Sequence, residues 1–115
     1  ACSCGRGLRE GTDYHRVVSQ ARFLEEAEAE FLKEVRYYAD VQASGAERFR
    51  AAIEEATARA LAFPMAGLSY LARTRRVFAK GYPFFVVYRP EATGVVVLAV
   101  VHESRRPGYW MDRAR

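Results

Sequence analysis

Residues 73–102 read RTRRVFAKGYPFFVVYRPEATGVVVLAVVH, and their pattern is the strongest indication of the fold. Three runs with the length and composition of strands, residues 73–80, 84–90 and 95–102, are separated by short turn-forming segments. Such short connections allow only antiparallel pairing, because a parallel crossover needs about a dozen residues or more. We therefore predict a three-stranded antiparallel meander.

The three runs differ in polarity. Residues 84–88 and 95–101 are apolar at every position but one tyrosine, so both faces of these strands should be covered. Residues 73–80 carry four basic side chains, which suits a strand at an exposed edge. We expect residues 84–88 and 95–101 to form the central strands and residues 73–80 to form an edge strand.

Two segments before the meander have helical periodicity. In residues 24–41 the spacings of four, four and three define the stripe Ala27, Phe31, Val35 and Tyr38. In residues 44–63 the spacings of four, three, four and three define the stripe Phe49, Ile53, Ala56, Ala60 and Phe63. Each stripe is typical of one apolar face of an amphipathic helix. We predict two helices that bury these faces.

The ends of the second helix have local signals. The sequence Ser44-Gly45-Ala46-Glu47 has the form of a capping box, in which Ser44 accepts from the third amide and Glu47 reaches back. Pro64 ends the helix, because proline disfavours helical backbone in the residue before it. A loop of about four residues between the helices predicts an antiparallel hairpin, and residues 64–67 form the turn that leaves it.

Residues 16–23 read RVVSQARF and predict a short first strand, because they contain β-branched residues in rough alternation. The elements together predict an α+β domain with the order β-α-α-β-β-β. In this fold a helical hairpin packs on a small, mainly antiparallel sheet.

The chain has 115 residues, half of them hydrophobic, which fits one domain, placed at residues 16–113. Residues 1–15 are polar and lack periodicity, so we interpret them as an N-terminal arm, a cloning remnant or a translated upstream stretch. They lack the apolar region of a secretory signal, and the longest apolar run, residues 95–101, is too short to cross a bilayer. We expect a cytoplasmic protein.

Cysteines and histidines are few and widely separated. Cys2 and Cys4 are separated by one residue, so a disulfide between them would be strained and would close almost no loop. His15 and His102 lie too far from them in sequence to complete a zinc-finger spacing. We predict neither a metal site nor a cofactor.

Charge is distributed unevenly along the chain. Residues 1–69 carry nine basic and eleven acidic side chains, whereas residues 70–115 carry nine basic and three acidic ones. The basic half is typical of a surface for phosphate or for an acidic partner. Solvated edge and terminal charges are the alternative interpretation, and the asymmetry alone does not name a ligand.

Several short sequences along the chain together carry a family resemblance through their order and spacing. They are AEAE at 27–30, YY at 37–38, GA at 45–46, Phe49, Pro64, Gly67, RR at 75–76, PFFVVY at 83–88, and His102 before RRPGYW at 105–110. In this order and spacing, covering about residues 16–113, the chain resembles the RelE/ParE superfamily of bacterial type II toxin-antitoxin toxins. That superfamily includes plasmid stabilisation proteins.

The resemblance implies a toxin that inhibits growth when free and is neutralised by a cognate antitoxin. RelE-like members cut messenger RNA on the ribosome, whereas ParE-like members inhibit DNA gyrase without nuclease activity, so the fold alone cannot choose. We favour the ParE-like inhibitor, because no carboxylate in the basic strands can pair with His102 as a base. A family member that only binds an antitoxin is the third interpretation. A homodimer and a heterotetramer with the antitoxin both stay open.

The resemblance also implies site residues. For a nuclease, the candidates for catalysis are His102, Arg76, Arg89 and Tyr109. For binding to gyrase or to the ribosome, the basic and aromatic candidates are Arg73, Arg75, Arg76, Lys80, Arg105, Arg106, Tyr109 and Trp110. Two candidates have structural alternatives: His102 can cap its strand end by hydrogen bonding, and Trp110 can fold back to close the core.

Overall fold

The structure is a computed structural model that describes residues 17–18 and 21–114. Its strands are β1 (Val17–Val18), β2 (Ala21–Phe23), β3 (Leu68–Tyr70), β4 (Thr74–Phe78), β5 (Phe84–Glu91) and β6 (Gly94–His102). Its helices are α1 (Glu25–Val41) and α2 (Gly45–Ala62). The strands form one sheet in the order β1-β2-β6-β5-β4-β3. The predicted α+β class and mainly antiparallel sheet are confirmed.

The predicted arm at residues 1–15, which contains Cys2, Cys4 and His15, lies outside the described residues. No helix in the described part of the chain has both the length and the apolar character that a membrane span requires.

The prediction of one continuous strand at residues 16–23 is wrong. β1 and β2 pair with each other antiparallel, with Val18 opposite Ala21, so two strands stand where one was predicted. β2 then pairs parallel with β6, and Ala21 lies opposite Val95. This pairing brings the start of the domain next to its last strand.

The two helices pack on one face of the sheet by the predicted stripes. Their buried side chains include Ala27, Phe31 and Val35 of α1 and Phe49, Ile53, Ala56 and Ala60 of α2. Tyr38 is partly buried and stacks on Phe49 at 4.9 Å. The predicted burial of Phe63 is wrong, because this residue leaves the helix with φ −136° and ψ 72° and its side chain is exposed.

The connection between α1 and α2 consists of residues 42–44, and the helices form the predicted hairpin. The predicted capping box is wrong, because the Ser44 side chain makes no capping hydrogen bond. The backbone of Ser44, at φ −97° and ψ 9°, is not in the extended conformation usual for a capping residue. The Gly45 N–H instead donates to the Gln42 carbonyl at 2.8 Å.

β4, β5 and β6 form the predicted meander, and β5 and β6 are the central, largely buried strands. The prediction that residues 73–80 form an edge is wrong. β3 pairs with β4, with Leu68 opposite Arg76, and takes the outermost place in the sheet. Three residues that read LSY are too few to show a strand period, so the sequence does not reveal β3.

The C-terminal segment covers the face of the sheet opposite the helices. A second cluster of buried side chains forms there from Phe85, Val87, Ala99, Val101 and Trp110. Trp110 is only 1% exposed, and its ring lies 5.8 Å from that of Tyr70. Trp110 therefore folds back to close the core, as the structural alternative predicts. Its buried side chain is not available to a target.

Candidate functional site

The predicted target-binding residues lie at two ends of the sheet. Arg73 closes the turn before β4, whereas Lys80 lies in the loop after β4. Because β4 runs between these two positions, Arg73 and Lys80 are at opposite ends of the strand. Arg105 and Arg106 follow β6, whose last residues pair with the first residues of β5 beside the loop of Lys80.

Three exposed cations, Lys80, Arg105 and Arg106, therefore share one end of the sheet, which we name the basic end. The two loops that carry them are tied together, because the Glu103 N–H donates to the Pro83 carbonyl at 2.9 Å. This part of the predicted target-binding set forms one surface.

A cavity of about 280 Å³ opens at the basic end, between α1 and the end of β6. Its walls carry both acidic and basic groups: Glu30, Lys33, Glu34, Phe84, Val100, His102, Ser104 and Arg105. Among the described residues, no group of three His, Cys, Asp or Glu side chains could hold a metal ion. The absence of a cofactor stays a prediction.

His102 ends β6 and is held by the turn that follows. Its Nδ1 accepts the Ser104 N–H at 3.0 Å and lies 2.7 Å from Ser104 Oγ. Its ring meets that of Phe84 edge-on at 4.9 Å. Because a backbone N–H can only donate, the neutral imidazole carries its proton on Nε2. His102 therefore caps the end of its strand, as the structural alternative predicts. The lone pair on Nδ1, which a general base would need, already accepts the hydrogen bond from Ser104.

Glu30 of α1 joins three parts of the chain at this cavity. Its Oε2 accepts the Tyr109 hydroxyl at 2.6 Å and Arg113 Nη2 at 3.0 Å. Its Oε1 accepts the Val100 N–H at 3.1 Å. Since β2 pairs with β6 only along residues 95–97, the Glu30 carboxylate meets a part of the β6 edge that β2 does not reach.

Tyr109 is half-buried and fixed by its neighbours. Burial, together with the hydrogen bond to the Glu30 carboxylate and the charge of that carboxylate, raises the pKa of Tyr109 well above its usual range. The nearby Arg105 and Arg113 oppose this rise. The Arg105 guanidinium covers the Tyr109 ring at 4.0 Å, so this ring face is not open for stacking with a base. The hydroxyl is a fixed donor at ordinary pH.

Two other candidates are bound to backbone carbonyls. Arg75 Nη1 donates to the carbonyls of Met65 and Gly67 at 2.9 and 2.7 Å. Arg89 Nη1 donates to the Ala114 carbonyl at 2.7 Å. Arg75 therefore fastens the turn after α2, and Arg89 fastens the C-terminal segment.

Arg76 lies among aromatic rings on the face of the sheet that bears Trp110. Its guanidinium lies 4.3, 5.2 and 5.1 Å from the ring centres of Tyr70, Phe78 and Phe85. Its Nε is buried and has no hydrogen-bond partner within the described residues. Cation–π attraction compensates part of this loss of hydration. The structure does not bring Arg76, Arg89 and His102 together as one catalytic group.

The sequence-based prediction missed Glu30 and Arg113, which form a well-shielded ion pair at 3.0 Å. Glu30 follows Ala27 by three positions and therefore borders the apolar stripe of α1. A charged side chain at such a border was the only local signal. Its partners are 70 or more residues away in sequence, so the pairing depends on the fold.

Comparison with known families gives a match that covers most of the chain. The family model described as the ParE toxin of the parDE type II toxin-antitoxin system matches residues 21–107. A search of curated proteins finds no match.

Proposed function

We propose that this chain, which belongs to the ParE toxin family of type II toxin-antitoxin systems, inhibits growth by binding DNA gyrase without cutting nucleic acid. Family membership makes the chain a toxin and implies a cognate antitoxin as its partner. The gyrase target, the non-catalytic mode, the contact residues and a cytoplasmic site of action are the proposal.

The engagement of the nuclease candidates within the protein is the observation that carries the non-catalytic mode. Cleavage of RNA needs a base with a free lone pair and cations that can meet the developing negative charge. The Nδ1 atom of His102 accepts from Ser104, and the Arg76 guanidinium packs against aromatic rings. Arg89 and Tyr109 donate to a carbonyl and a carboxylate of the protein. These contacts hold the fold together and favour binding over catalysis.

The basic end is the surface that we assign to the target. Lys80, Arg105 and Arg106 are exposed there, and Arg105 is stacked on Tyr109 at 4.0 Å. Because that ring is fixed by Glu30, Arg105 loses little conformational freedom when it meets a partner. An arginine held in this way is suited to an acidic or phosphate-bearing surface.

Induction of the gene in bacteria, without an antitoxin, tests the proposal. Growth should stop, supercoiling of a reporter plasmid should fall, and primer extension should detect no cleavage at codon positions. Cleaved transcripts with normal supercoiling would instead indicate a RelE-like nuclease. Normal growth with stable expression would favour the inert binding module.

Charge reversal tests the assigned surface. The double variant Arg105→Glu/Arg106→Glu should lose growth inhibition, because both cations would now repel an acidic target surface. The matched control Arg36→Glu/Arg48→Glu reverses two exposed charges on the helices and should inhibit growth as the wild type does. His102→Ala should also remain inhibitory. This assignment would be contradicted if the control variant lost growth inhibition to the same extent, or if only His102→Ala lost it.

A further inference from the structure

We infer that the turn at residues 63–67 and the adjoining edge of β3 are the docking surface for the antitoxin. The occupant is an extended antitoxin segment in which a large apolar side chain stands next to acidic ones. This inference rests on the antitoxin partner that the proposed function includes, and not on the identity of the toxin's target. We name residues 63–68 and 73 the docking edge.

Three large apolar side chains are exposed within six residues of this turn. Phe63, Met65 and Leu68 have 68%, 65% and 58% of their surface accessible. Several large apolar side chains exposed so close together along the chain indicate a site that a partner covers. The cost of hydrating these side chains in the free toxin is recovered when the partner binds.

The turn is held rigidly in spite of its exposed side chains. Arg75 donates to the carbonyls of Met65 and Gly67, and the buried Tyr88 hydroxyl donates to the Pro64 carbonyl at 2.7 Å. Gly67 is required here, because a Cβ at this position would overlap the Tyr88 hydroxyl. Phe63 and Met65 are therefore presented in a fixed arrangement, which lowers the entropic cost of binding.

An apolar cavity lies on one side of the turn. It measures about 210 Å³, and its walls include Phe63, Ala60, Val77 and the ring of Tyr88. Its volume and lining suit one large aliphatic or aromatic side chain.

A second, basic cavity also borders the turn. It measures about 440 Å³ and is bordered by Met65, Arg73, Arg75 and Arg89. No acidic side chain lines either cavity in the part of the chain that the structure describes. The charge of this second cavity selects acidic side chains next to the apolar anchor.

β3 supplies the direction of the bound segment. It is the outermost strand of the sheet, three residues long, and Leu68 and Ser69 are exposed. An exposed edge strand offers backbone groups to which an extended peptide can pair. A segment that lies along β3 would reach the apolar cavity with one side chain and Arg73 with others.

The apolar character of the docking edge favours the antitoxin over the toxin's target as occupant. Long-lived interfaces are more apolar than transient ones. The complex of an inactive toxin with its antitoxin is the long-lived one. The basic end, in contrast, exposes mainly charge, as expected for a surface that meets its target only after release.

Titration of the purified full-length toxin with its full-length cognate antitoxin tests the inference. Phe63→Lys, Leu68→Lys and Arg73→Glu should each raise the dissociation constant at least tenfold. Tyr37→Lys, Val41→Lys and Arg36→Glu are matched controls on α1, where Tyr37 and Val41 are 58% and 62% exposed, and should stay within about twofold. Unchanged circular dichroism verifies that each variant is folded.

Two results would overturn the inference: weaker binding confined to the α1 variants, or unchanged binding in all three variants of the docking edge. Gyrase inhibition by the same proteins is measured separately, without antitoxin. If the wild-type toxin leaves gyrase active, the proposed target is contradicted. If the Phe63→Lys variant nevertheless binds the antitoxin more weakly than the wild type does, this docking surface is still supported.

Discussion

At the scale of single residues, Glu30 and Tyr109 join the acidic helical half of the chain to its basic half. Their 2.6 Å hydrogen bond is charge-assisted and half-buried, and Arg113 completes the group. Tyr109→Phe keeps the ring beneath Arg105 and removes only the hydroxyl. We expect this variant to lose about 1–2 kcal/mol of unfolding free energy at neutral pH, measured by urea denaturation.

The same contact predicts a pH dependence. Burial and the Glu30 carboxylate raise the pKa of Tyr109 in the folded state, so folding favours the protonated hydroxyl. This stabilisation is complete below the unfolded pKa of about 10 and is lost as the pH rises toward the folded value. The difference in stability between the wild type and Tyr109→Phe should therefore shrink above about pH 10. A difference that stays constant through that range would argue against the Glu30 contact.

Ala72 and Arg73 adopt left-handed backbone conformations, with φ values of 56° and 61°, in the turn that joins β3 to β4. A residue with a Cβ is strained there, by about 1–2 kcal/mol. Ala72→Gly relieves the strain but adds conformational freedom to the unfolded chain. We therefore expect the free energy of unfolding to rise by about 0.5 kcal/mol. Ala51→Gly, in the exposed part of α2, should instead lose about 1 kcal/mol. Urea midpoints that fall in both variants would contradict the strain.

At the scale of elements, the close contact of α1 and α2 depends on Gly45. A Cβ at this position would overlap the Tyr38 carbonyl oxygen, which is backbone and cannot move aside. Gly45→Ala should lower the free energy of unfolding by about 3 kcal/mol, measured by thermal unfolding. Gly81→Ala is the control: its φ is 82° with open space around it, so only about 1 kcal/mol of backbone strain is expected. Equal losses would argue against close packing at Gly45.

The sequence predicts those elements whose signal is periodic and longer than one turn or a few strand residues. Both helices and β4 to β6 follow from apolar patterns that match the burial in the structure. β3 could not be predicted, because three residues carry no period. The cap at Ser44 was wrong because the short connection fixes a backbone conformation that the side-chain pattern does not record.

The candidate site could be predicted only in part. The exposed cations of the basic end follow from composition, since arginine and lysine seldom lie fully buried. The roles of Arg75 and Arg89 as anchors, and of Trp110 as core, depend on the C-terminal segment and the turn after α2. Those contacts join residues far apart in sequence, so they could not be inferred from local patterns.

At the scale of the whole molecule, the charge asymmetry divides into two surfaces with different chemistry. Lys80, Arg105 and Arg106 form the basic end, whereas Arg73 lies at the other end of β4 beside exposed apolar side chains. The two surfaces therefore differ in the way that the proposed binding of a target and of an antitoxin requires. The net charge of +4 does not reveal this division.

Purified components allow a direct test of whether the toxin inhibits gyrase without nuclease activity. Wild-type toxin is added to DNA gyrase with relaxed plasmid and, in parallel, to ribosomes stalled on a messenger RNA. We predict that supercoiling is blocked, that the message stays intact, and that Arg105→Glu/Arg106→Glu restores supercoiling. Cleavage of the message at the ribosomal A site, with supercoiling unaffected, would contradict gyrase inhibition and indicate a nuclease.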